Sequence, residues 1–151
     1  MQPNEIKPDT LLCTIIGYNA QSGSCRKYFN RILKDNAINA TAIALNIKEE
    51  HFAFTMQNLA NSKVDKMIVE YEFGVDVLNY CDEANSTESI DFIEVVEGRV
   101  IGINLDSQLA QHIDISKLDD RAKLAAKMML IAHRWYETPI EIDAIPLIIK
   151  D

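Results

Sequence analysis

Residues 11–17, Leu-Leu-Cys-Thr-Ile-Ile-Gly, form a nearly continuous apolar run that stops at a glycine. No other feature of the sequence constrains the fold as much. A strand that is apolar at successive positions must be buried on both faces, as an inner strand of a helix-covered parallel sheet is. The following segments keep to that logic. Ser22 to Leu33 carries Tyr28, Phe29, Ile32 and Leu33 at helical spacing. Ala40 to Leu45 is a second short strand. Asn46, with Glu49 three residues on, has the spacing of a helix cap, and the helix it would open buries Phe52, Met56 and Leu59. Lys66 to Phe73 is a third strand, and Val75, Leu78 and Tyr80 mark a short helix after it.

Beyond residue 88 the alternation changes. Ser89 to Glu97 and Arg99 to Leu105 are two β-rich runs on either side of Gly98, the pattern of a hairpin. Ser116 to Asp119 has capping-box spacing and opens the longest helix, from Leu118 to about Tyr136. Its stretch Leu124 to Ala132 is apolar nearly all round apart from Lys127, so the helix lies deep. Pro139 begins a final short helix or turn. The expected fold is α/β: three layers, α/β/α, with a mostly parallel sheet that ends in a hairpin. One domain is expected over residues 1–151, with a flexible start at 1–9 and a C-terminal helical part at 117–145.

Composition narrows the classes of function. The net charge is -8 and the pI about 4.8, which argues against a nucleic-acid binder. Arg26, Lys27, Arg31 and Lys34 sit at helical spacing and read as a solvated helix face. No uncharged apolar run is long enough for a bilayer, and the first residues lack the basic start and apolar stretch of a signal peptide. Cys13, Cys25 and Cys81 have no CxxC spacing and read as reduced thiols, so the expected location is cytoplasmic. His51, His112 and His133 lack ligand-like spacing, and no metal site is expected. No glycine-rich phosphate loop is present, so no dinucleotide cofactor is expected on this chain.

Three motifs in order resemble the shikimate dehydrogenase family. GYNAQSGSCRKYF (17–29) resembles that family's opening motif, where a Ser-x-Ser after the first strand holds the substrate carboxylate; Ser22 and Ser24 occupy those positions. EVVEGRVIGINLDS (94–107) resembles its later hairpin, which ends in Gly-x-Asn-Thr-Asp-Gly; Gly102, Asn104 and Asp106 match, while Leu105 and Ser107 depart. KMMLIAHRWYETP (127–139) resembles its C-terminal helix, with Trp135 and Pro139 matching. The resemblance spans roughly residues 10–145. It implies the substrate-binding part plus the C-terminal helix, without the NADP-binding Rossmann domain that the family places between them.

The resemblance also implies losses at the site. The family pairs an aspartate with a lysine from an Asn-x-Thr-x-Pro-x-Lys run after the third strand. The matching positions here are Ile68, Glu70, Glu72 and Gly74, so Asp106 stands without that lysine. Glu94 falls in a threonine's place and Lys127 in that of a substrate-contacting glutamine. The candidate ligand-binding residues are therefore Ser22, Ser24, Lys127, Glu70 and Glu94, with Asp106 at the family's catalytic position. Clustered carboxylates would repel an anion and favour a cation. Each residue also has an ordinary role. Ser22 and Ser24 suit a helix cap or first turn, Asp106 suits a cap for a helix starting near Ser107, and the two glutamates suit solvated strand positions. Lys127, alone in an apolar stretch, must find a partner or reach water. The expected function is a catalytically silent shikimate dehydrogenase-like protein that binds a small polar metabolite, with a shikimate-like hydroxy acid in view. The alternatives are a half-enzyme needing a separate NADP-binding partner, or an interaction module. Self-association into a homodimer and a separate protein partner both stay open.

Overall fold

Six strands and five helices are found among residues 6–150, which the computed structural model describes. The expected flexible start lies partly outside the described residues; within them, Lys7 N donates to Thr10 Oγ1 at 2.8 Å in a local turn. The strands are β1 (Leu11–Gly17), β2 (Ala40–Asn46), β3 (Lys66–Val69), β4 (Glu83–Ala84), β5 (Phe92–Val96) and β6 (Arg99–Ile103). The helices are α1 (Ser24–Asp35), α2 (Glu49–Gln57), α3 (Asp106–His112), α4 (Asp120–Tyr136) and α5 (Ile145–Ile148). The sheet runs β2-β1-β3-β5-β6-β4. β1 pairs parallel with β3, and β4 with β6; β5 is antiparallel to both β3 and β6. The α/β class and the closing hairpin are as the sequence pattern indicates. Glu97 and Gly98 form the hairpin turn with φ of 52° and 76°, the paired positive values that a tight two-residue connection favours.

The chain forms two compact units. Among the described residues the first comprises residues 6–12, 22–42 and 105–150; the second comprises residues 13–21 and 43–104. In the first unit α1 packs on α4. Tyr28, Phe29, Ile32 and Leu33 of α1 are buried, as are Met128 through Ala132 of α4. The Phe29 ring meets Trp135 edge-on at 6.0 Å. The α1 basic face is not all solvated: Arg31 Nη1 donates to Ile148 O and Lys150 O, each at 2.5 Å, and so ties down the C-terminal segment. In the second unit the core gathers Ile16, Phe52, Met56, Met67, Phe73, Ile93 and Val100, with Phe52 and Phe73 stacked at 4.5 Å.

Several local expectations are corrected. The α2 helix is preceded by Lys48 as its N-cap; Asn46 instead accepts a bond from Gln21 N at 2.9 Å. Asp119, not Ser116, caps α4, accepting from Ala122 N at 2.8 Å. β3 ends at Val69, four residues early, because Glu70 leads into a single 3₁₀ turn at Tyr71–Phe73 that buries Phe73 and exposes Tyr71. The α3 helix begins at Asp106 itself, with Leu105 in the capping position, so Asp106 is not the cap.

Candidate functional site

Asp106 opens α3 directly after β6. Its Oδ1 atom is enclosed, although its side chain as a whole is 48% exposed. Lys127 Nζ stands 2.8 Å from that oxygen and Lys123 Nζ 3.8 Å from it. The two lysines are four residues apart on α4, so one helix face presents both ammoniums to one carboxylate. Lys127 is only 14% exposed, against 36% for Lys123. The ammonium of Lys127 therefore meets a counter-charge and does not simply reach for water; burial of a charge requires such pairing.

Ser22 ends a 3₁₀ turn (Ala20–Ser22) and Ser24 is the first residue of α1. Gly23 between them is the N-cap, which has no side chain to cap the helix. Ser22 and Ser24 are both exposed. The serines thus flank a helix start without being its cap.

The remaining candidates fall in the second unit. Glu70 follows the carboxyl end of β3, and its N–H donates to Ile16 O at 3.0 Å. Its carboxylate lies over Gly17: a Cβ placed there would be 2.2 Å from Glu70 Oε1. Glu94, by contrast, pairs with Lys66, the first residue of β3. β5 runs antiparallel, so a position near its carboxyl end falls at the amino end of β3. Glu70 and Glu94 are four residues apart along that strand, about 13 Å at the usual strand rise, and do not form one carboxylate cluster. Gly74, where the family's lysine would stand, is closely packed; a Cβ there would be 3.2 Å from Ile90 O.

Asn104, a matched motif position, is engaged in the fold. Its N–H donates to Asn85 Oδ1 at 2.6 Å, Asn85 Nδ2 returns a bond to Asn104 O at 3.0 Å, and Asn104 Nδ2 donates to Ser89 O at 3.1 Å. Gly102 is required by a close neighbour, since a Cβ would be 2.7 Å from Cys81 Sγ. Burial, and then Asp82, push that thiol's pKa up.

Sequence reasoning missed two features. Lys123 was readable only as one member of an i, i+4 lysine pair, which is usually a solvated face. The other feature surrounds Tyr18, whose N–H donates to Glu72 Oε1 at 3.0 Å and whose ring meets Phe73 edge-on at 4.9 Å. Partial desolvation, and then Glu49, Asp76 and Glu72, raise its phenol pKa above 10.0. Among the described residues no three His, Cys, Asp or Glu side chains are grouped to hold a metal ion, and no helix is long and apolar enough to cross a membrane.

No protein-family model matches the sequence, and no curated protein matches it. Solved structures do match the fold. A shikimate dehydrogenase from Aquifex aeolicus superimposes with a TM-score of 0.61 at 17% identity, covering 84% of this chain and 54% of its own. A shikimate dehydrogenase solved in complex with NADP+ gives 0.61 at 18% identity, covering 96% and 57%. The 5-ketofructose reductase of Gluconobacter sp. strain CHM43 gives 0.58 at 13% identity, covering 72% and 42%. The chain spans about half the length of these structures. It has the fold of shikimate dehydrogenases over that half.

Proposed function

We propose that this chain binds a small polar carboxylic acid of the shikimate-like hydroxy-acid class and does not itself transfer hydride. The observation that carries this reading is the Lys127–Asp106 pair, 2.8 Å apart. It supplies a held ammonium and a carboxylate, the two kinds of group that grip a hydroxy acid's carboxylate and hydroxyls through charge-assisted hydrogen bonds. The fold likeness to shikimate dehydrogenases supports the class of ligand, and Ser22 and Ser24 add hydroxyls at a helix start. Catalytic silence rests on two points. Hydride transfer needs a donor held against the substrate, and the sequence carries no glycine-rich loop to hold one. The family's lysine position is Gly74, where the backbone of Ile90 leaves little room for a side chain.

A thermal-shift panel of shikimate, dehydroshikimate, quinate, NADP+, polyamines and divalent metals tests this directly. A native-state ligand at a hundredfold excess over its Kd adds about 2.7 kcal/mol and raises the midpoint. A rise with the hydroxy acids, with no nicotinamide turnover in their presence, is the expected result. Response to cations alone, or reduction of dehydroshikimate by NADPH, would overturn it.

A further inference from the structure

The two lysines on α4 do different things. Lys127 is mostly buried and closely paired, whereas Lys123 is more exposed and approaches the same Asp106 oxygen only to 3.8 Å. Both ammoniums are therefore well within a Debye length, roughly 8 Å at physiological salt, of each other. Like charges at i, i+4 repel, and one carboxylate oxygen shared between them offsets that repulsion only in part. A second anion arriving beside Lys123 would meet an ammonium that can turn toward it without giving up a close pair. We infer that Lys123 is the cation that takes the ligand's carboxylate, at a subsite beside the Lys127–Asp106 pair that grips its hydroxyls. Lys127 holds Asp106 in place, and Lys123 swings from Asp106 to the incoming carboxylate.

This rests on the hydroxy-acid reading above and names the group that selects for the acid's charge. It makes the subsite specific for a monoanionic carboxylate over its neutral ester.

The test compares the wild-type protein with Lys123→Gln and Lys123→Arg, titrated with shikimate, shikimate methyl ester and acetate. Expected are tighter binding of shikimate than of its ester, a loss of roughly tenfold or more in shikimate affinity for Lys123→Gln, and recovery in Lys123→Arg. Stabilisation by millimolar acetate is also expected in the wild type and not in Lys123→Gln. Equal shikimate binding by the wild type and Lys123→Gln would overturn the subsite while leaving the hydroxy-acid reading standing. Acetate stabilisation that needs Lys123, with no binding of shikimate or quinate, would keep the subsite and remove the hydroxy-acid reading. Indifference to acid and acetate alike removes both.

Discussion

Lys127 and Asp106 lie 21 residues apart in sequence and 2.8 Å apart in space, joining α4 to the start of α3. The pair is asymmetric, with the lysine 14% exposed and the aspartate 48%. Water can take over the aspartate's solvation more easily than the lysine's. Lys127→Met, which keeps the apolar stem, is expected to lower stability by about 1 kcal/mol. Asp106→Asn is expected to cost more, about 2 kcal/mol, because it takes a counter-charge from a mostly buried ammonium. Urea denaturation of both single variants and the double variant measures this. The order of the two losses, and a double variant less damaged than the sum, are the expected signs.

Gly17 and Glu70 are coupled by contact. Gly17→Ala places a methyl where the Glu70 carboxylate now lies. The glutamate is flexible and can swing away, so the expected loss is modest, below about 2 kcal/mol. Glu70→Ala in the same chain should recover most of it. An unchanged penalty in the double variant would show that the backbone, and not Glu70, limits the position.

A tighter constraint holds at Gly102. A methyl there meets Cys81 Sγ at 2.7 Å and Ile90 Cδ1 at 3.0 Å. Gly102→Ala is expected to lose about 1–3 kcal/mol, the usual cost of overpacking, with partial rescue by Cys81→Ala. Thermal melts of the three variants decide it.

Tyr18 gives the pH prediction. Its phenol pKa is raised above 10.0, first by desolvation and then by Glu49, Asp76 and Glu72. The folded state therefore keeps the proton longer than the unfolded chain does. Its contribution to stability is fully present below pH 10 and is lost as pH rises through the higher folded value. Ultraviolet titration of the phenolate should show a midpoint that falls when Glu72 is changed to Gln. A midpoint that does not move would remove Glu72 as a cause.

Much of the fold could be read from local pattern. The apolar run at 11–17 is β1 residue for residue, and the turn at Gly98 joins β5 and β6 as its neighbours suggest. What was misread depended on tertiary contacts. Asn46 has cap spacing but is taken by Gln21, and β3 stops at Val69, where Glu70 leads into the 3₁₀ turn at Tyr71–Phe73. At the candidate site, Asp106 and Lys127 were each legible as unusual residues, one by motif and one as a charge in an apolar stretch. Their pairing was not legible, since nothing in local spacing brings residue 106 to residue 127. Glu70 and Glu94 suggested a joint site only because strand direction was unknown; the antiparallel β5 sends them to opposite ends of β3.

The most direct test of the ligand-site reading is calorimetric titration of shikimate into the wild-type protein and into Lys127→Met, with folding of both checked by circular dichroism. Measurable binding by the wild type and a loss of roughly tenfold or more in the folded variant is the expected result. Equal affinity in the two proteins, or no binding to the wild type, would contradict the placement of the ligand site at the Lys127–Asp106 pair.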